Sequence, residues 1–171
     1  MKRTFLVAAL LLAACQEEEA KAPEPVTMTA DALSHFCRMQ VAAHPGPKAQ
    51  IHLSGFPDPI FFAQVRDALA YVKGPEREAE LTAFYVSDMA AAESWESPGA
   101  DNWIAAGSAE FVVGSEARGG MGAPEIVPFS GAGAARNFAD RKGGDLMTLK
   151  DIPAETVLAP VDVAPEEEPK S

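Results

Sequence analysis

The chain is short of the residues that most often carry chemistry. It has two cysteines and three histidines in 171 residues, too few for the clustered spacings of zinc or iron–sulfur sites. It has no CxxC pair, nucleophile-elbow serine, P-loop or dinucleotide fingerprint; Gly131-Ala132-Gly133 reads as a loose start to a helix. Glutamates gather near the two ends, which leaves little for paired acid–base work. A His35–Cys37 nucleophile pair is conceivable, but neighbours two apart on one strand lack the geometry of nucleophile, base and orienting group. The chain is therefore read as no enzyme. Basic residues are also scarce: 14 Lys and Arg stand against 25 Asp and Glu, for a formal net charge of −11. With no basic patch, nucleic acid is excluded as a partner.

What is present begins with ordinary globular material, 47% hydrophobic and 23% charged. Lys2 and Arg3 precede a short apolar run, Phe5 to Ala14. Spanning a bilayer takes about 20 apolar residues, so residues 1–14 read as a secretory signal. Leu12-Ala13-Ala14-Cys15 resembles the lipobox of bacterial lipoproteins, which makes Cys15 the expected lipidation site and the periplasm the expected compartment. Gln16 rather than Asp follows it, which favours the outer membrane, with the inner membrane open. Acylation of Cys15 leaves Cys37 without a disulfide partner in an oxidising compartment. Residues 15–30 then form an acidic, proline-containing tether, expected to stay extended and undocked. The fourteen residues Gln16 to Thr29 reach at most about 45–50 Å from the lipid.

Periodicity changes after Asp31. Phe36 to Ala42 can form a strand, His44-Pro45-Gly46-Pro47 a turn, and Ala49 to Leu53 the second strand of a hairpin. Ile60-Phe61-Phe62 leads into a helix from Gln64 to Val72, with Val65, Leu69 and Val72 on one face. Lys73-Gly74-Pro75 ends that helix, with glycine expected in the left-handed position. Leu81 to Val86 is the next strand. The second half repeats the order: extended segments at Trp103–Ala106 and Ala109–Val113, the approach Ile126 to Phe129, a helix at about Ala132–Lys142 closed by Gly143, and a strand at Leu146–Leu149. The expected fold is α+β, two packed ββαβ units with mostly antiparallel sheets and one helix each, over residues 31–90 and 91–158. Residues 159–171 read as a disordered acidic tail.

The residues also offer one soft-metal site. On a strand, Cys37 and Met39 project from the same face, placing a thiolate beside a thioether. Two or three such donors suit Cu(I) better than hard cations. The third donor is open among Met121, His35, His44 and Met89, with Met121 standing out because glycines flank it in Gly119-Gly120-Met121-Gly122. Cys37 as a buried structural thiol is the alternative.

Cys37-Arg38-Met39-Gln40-Val41 with His44-Pro45, Ala49-Gln50-Ile51 and Ile60-Phe61-Phe62 resembles the first half of the NosL family. The resemblance continues through Tyr85-Val86-Ser87-Asp88 and Ala109 to Ser115. It ends in Met121-Gly122-Ala123-Pro124-Glu125-Ile126-Val127-Pro128-Phe129, spanning about Phe36 to Leu149. It implies a lipoprotein copper chaperone of paired ββαβ units. Such a protein holds Cu(I) in the periplasm for the copper cluster of nitrous oxide reductase, with an assembly ABC transporter and its periplasmic partner protein. It carries the ligand role to Cys37 and Met39, with Met121 as the chosen third. Many relatives show Cys-x-x-Cys-Gly-Met; Ser34 and Arg38 stand here for the first Cys and the Gly, which removes a dithiol. The alternatives are a general periplasmic copper-binding or copper-tolerance lipoprotein, and a structural partner-binding lipoprotein without metal.

Overall fold

The computed structural model describes residues 21–161 apart from Glu76. The signal segment, Cys15, Gln16 and most of the acidic tail lie outside them.

Two antiparallel sheets and three helices make up the fold. Strands β1 (Ala49–Leu53), β2 (Ile60–Phe62), β3 (Leu81–Ser87) and β4 (Trp103–Ala105) form one sheet in the order β2-β1-β3-β4. Strands β5 (Glu110–Val113), β6 (Val127–Phe129) and β7 (Asp145–Thr148) form the other, ordered β6-β5-β7. Helix α1 (Val65–Lys73) follows β2 and helix α2 (Ala132–Lys142) follows β6. Both halves are therefore ββαβ, and the α+β expectation holds.

The strands inside each unit are displaced by one position from the sequence reading. In both halves the apolar-aromatic triplet before the helix is itself the second strand, pairing β2 with β1 and β6 with β5. Pro128 is tolerated in β6 because that strand is an edge, where a missing N–H leaves no ladder bond unmade. Trp103–Ala105, expected to open the second half, pairs with β3 and extends the first sheet.

Phe36–Ala42 is not a strand. Arg38 has a left-handed φ of 59°, Leu33 bridges Gln40, and Val41–Ala43 forms a single 3-10 turn. The hairpin expected around His44–Pro47 is instead the β1–β2 hairpin across Ser54–Pro59. The reason is burial: Val41 is fully enclosed while Phe36 and Met39 are about half exposed, so no regular alternation meets the core.

The helices follow their patterns. Val65, Ala68 and Leu69 are fully buried along one face of α1. Gly143 closes α2 with φ 73°, its N–H donating to Ala139 O at 2.7 Å. Gly74 differs from expectation, with φ −79°. Glycine serves there because a Cβ would stand 2.7 Å from the Ala70 carbonyl oxygen. A third helix, α3 (Ala154–Leu158), was not legible; it buries Val157, and Arg66 donates to its Thr156 O at 2.8 Å and to Ala159 O at 3.0 Å.

Alternation assigns the core. Ala49, Ile51 and Leu53 join Phe62, Leu69, Phe84, Phe111, Val113, Ile126 and Ile152 in one cluster shared by both units. Val112, between Phe111 and Val113, faces the other way, onto Val127, Phe129 and Ala135 beneath α2. Gln50 and His52 lie on the opposite face of β1 and are nonetheless buried. The segment expected to hang free covers that region. Val26 N–H donates to Gln50 Oε1, Gln50 Nε2 donates to Val26 O, both at 2.9 Å, and Tyr85 Oη donates to Pro23 O at 2.7 Å. Met28 N–H adds a bond to Ala100 O at 3.0 Å. The strap is extended as expected but docked from Pro23 onward, because a proline-containing extended chain leaves carbonyls free to accept.

Candidate metal site on two braced loops

The first loop, Leu33–Gln40, is closed by its own backbone. Ser34 N–H donates to Met39 O at 2.8 Å, and Arg38 N–H to Ser34 O at 3.0 Å. It is fastened to β2: His35 N–H donates to Phe61 O at 2.7 Å, and Ala63 N–H to Ser34 Oγ at 3.3 Å. Ser34 and Val41 are fully buried, leaving Cys37 a half-buried free thiol and Met39 half exposed near the tip. The two sulfurs thus sit on a tight turn, not on one face of a strand. Arg38 holds the turn with a left-handed φ of 59°, a conformation that costs arginine energy and would be free to glycine.

The second loop, Arg118–Pro124, carries Met121 at an exposed tip and is closed by Gly119 N–H to Ala123 O and Gly122 N–H to Gly119 O, each 2.9 Å. It is fastened to the first unit, by Gln64 at the start of α1 and by His44 before β1. Met121 N–H donates to Gln64 Oε1 at 3.1 Å, and the Gly120 carbonyl accepts from His44 Nδ1 at 3.2 Å. Cys37, Met39 and Met121 therefore stand on loops anchored to the consecutive residues Phe61–Gln64.

The other donors are engaged differently. The His35 ring lies against Phe36, Phe62 and Tyr71, with centroids 5.1–5.6 Å away, and helps line a cavity of about 420 Å³ bounded also by Leu158. His44 is buried, and its Nε2 has no hydrogen-bond partner. Met89 packs into the α2 cluster. Among the described residues no three His, Cys, Asp or Glu side chains gather in metal-binding reach. A metal on these loops must lean on thioether sulfur, which selects for a soft cation.

Beneath both loops is a buried polar base that the sequence reading did not single out. Lys48, 1% exposed, donates from Nζ to the carbonyls of His44 (2.6 Å), Pro45 (3.1 Å) and Ala63 (3.3 Å). Burial pushes its amine down to about 8. Glu125, 1% exposed, accepts at Oε1 from Arg66 N–H at 3.0 Å and Ile126 N–H at 2.9 Å, while Oε2 is unpartnered. Burial pushes its carboxyl up to about 8, against the two N–H donors. One signal was present: a lone Lys between Pro47 and an apolar strand.

Paired antiparallel ββαβ units, with Met39 and Met121 exposed on two loops tied to residues 61–64, define a small α+β protein. The NosL family model matches residues 25–157. The chain belongs to the NosL family. It is 52% identical over 167 residues to the "Copper-binding lipoprotein NosL" of Achromobacter cycloclastes, covering 96% of this chain and 86% of that relative. A protein of the same description from Stutzerimonas stutzeri is 31% identical over 138 residues, covering 80% of this chain and 70% of the relative. Among solved structures, the crystal structure of the copper chaperone NosL from Shewanella denitrificans superposes with a TM-score of 0.71 at 29% identity, covering 75% of this chain and 95% of that one. The solution structure of apo-NosL from A. cycloclastes gives 0.50 at 53% identity, covering 68% and 93%.

Proposed function

We propose that this chain is a periplasmic, lipid-anchored Cu(I) chaperone that delivers copper for assembly of the nitrous oxide reductase cluster. The observation that carries it is an unpaired Cys37 thiol two residues from an exposed Met39, on a loop braced through β2 to a second exposed methionine, Met121. Support comes from relatives described as copper-binding lipoproteins and from a structural neighbour described as a copper chaperone.

Cys37 supplies the thiolate and Met39 and Met121 the thioethers. Cu(I) takes the place of the Cys37 thiol proton when it binds. Delivery proceeds by ligand exchange: the weakly held, solvent-facing thioethers yield first to a partner's donors, and the thiolate last. Lipidation of Cys15 anchors the protein, at the outer membrane by the Gln16 criterion. With the strap docked from Pro23, Gln16–Ala22 is the length left to reach the lipid, at most about 23–25 Å. The partners in this reading are nitrous oxide reductase, the assembly ABC transporter and its periplasmic protein.

Deleting the gene tests the role. Nitrous oxide reductase purified from the deletion strain should lack its catalytic copper cluster, and normal copper loading would refute delivery. Copper sensitivity with intact nitrous oxide reduction would instead mark a general copper-tolerance protein.

A further inference from the structure

We propose that Gln64 is a positioning residue for Met121, one half of a clamp that fixes where that thioether stands relative to Cys37 and Met39; this rests on the reading that Met121 is a copper ligand. The peptide unit joining Gly120 to Met121 is held at both polar ends. Its N–H donates to Gln64 Oε1 at 3.1 Å, and its carbonyl oxygen accepts from His44 Nδ1 at 3.2 Å. A carbonyl only accepts, so His44 must carry its proton on Nδ1. Peptide groups at an exposed loop tip are ordinarily left to water. Here two side chains from the first unit hold one peptide of the second.

Gln64 is itself fixed. It is 2% exposed, and its Nε2 donates to Asp67 Oδ2 at 3.1 Å. It directly follows Ala63, which donates to Ser34 Oγ in the loop that carries Cys37. The Met121 peptide and the Cys37 loop are thus referred to two adjacent residues, Gln64 and Ala63. The close approach needs glycine: a Cβ on Gly119 would overlap Gln64 Oε1 and stand 2.6 Å from Glu125 Oε2, and one on Gly120 would overlap His44 Cβ. A neutral amide also suits the place, since it accepts the N–H without setting a hard anionic oxygen beside a soft site.

The test is anaerobic Cu(I) competition against a colorimetric chelator, using the full chain. Gln64→Leu and Gly119→Ala should each weaken Cu(I) binding about 10-fold, the scale of outer-shell changes at metal sites. Neither should weaken it further in a Met121→Ala background. Gly107→Ala, where a Cβ meets open space, is the control and should bind as the unaltered chain does. Met121 amide exchange should quicken in Gln64→Leu without copper. Equal losses with and without Met121 would mean general damage and overturn the proposal. Unaltered binding in both variants, while Met121→Ala weakens it, would also overturn it and leave the functional reading standing. If Cys37→Ser binds Cu(I) as tightly as the unaltered chain, both fall together. Gly119→Ala reads the same contact from the other side, so the outcome does not hang on Gln64→Leu folding.

Discussion

Glu125→Gln should stabilise this protein, and by an amount that depends on pH. The Glu125 carboxyl is enclosed between α1 and the Met121 loop, and burial raises it from 4.5 to about 8. The unfolded chain releases that proton above about 4.5, whereas the folded chain holds it until about 8. Folding stability therefore falls as pH climbs through that window and is flat in this group beyond it. At 1.36 kcal/mol per decade of proton affinity, full ionisation costs the folded state about 5 kcal/mol, of which about 3 kcal/mol accrues between pH 5 and pH 7.5. A glutamine keeps the Oε1 acceptor for Arg66 and Ile126 N–H and has no charge to bury. Lys48 is depressed from 10.5 to about 8, so its own contribution rises with pH only between those values, above the window. Urea denaturation of both proteins at pH 5 and 7.5 in one buffer is the assay. The gain from Glu125→Gln should be about 3 kcal/mol larger at pH 7.5. A pH-independent difference, or a variant less stable at pH 7.5, would refute the reasoning.

Arg38→Gly should stabilise the fold by about 1 kcal/mol in urea denaturation, because a left-handed φ of 59° is strained for arginine and free for glycine; a loss of stability would show that the Arg38 side chain is needed. Gln50→Ala removes both bonds to Val26 and the 3.1 Å contact with His52 Nε2. It should cost about 2–3 kcal/mol and speed Val26 amide exchange; unchanged protection at Val26 would mean that the strap is not held by Gln50.

Both helices of the repeat were legible because Val65, Leu69 and Val72 keep a helical period and because α2 ends in Lys-Gly. The displaced strands follow from length. Ile60–Phe62 and Val127–Phe129 have three residues each, too few for alternation to declare itself beside a helix. Trp103–Ala105 reads as extended, but its choice of β3 as a partner is a tertiary fact with no local trace. The strand read into Phe36–Ala42 failed at Arg38, where local sequence carries no sign of a left-handed turn unless glycine is present. The single turn of α3 depends on Arg66, some 90 positions earlier.

The sulfur residues of the proposed site were singled out by arithmetic and context: Cys15 assigned to a lipobox, Cys37 left over, Met39 adjacent, Met121 among glycines. What holds them was invisible for the same reason as β4. Gln64 meets Met121 across 57 positions, His44 meets Gly120 across 76, and Glu125 meets Arg66 across 59. None of these pairs leaves a periodic or compositional mark.

Whether Cys37 anchors a Cu(I) site on these loops is decided by anaerobic Cu(I) titration of the full chain beside its Cys37→Ser variant. The serine variant should lose at least about 100-fold in Cu(I) affinity, beyond what outer-shell changes cost, while keeping its fold. Equal affinity in the two proteins would contradict it.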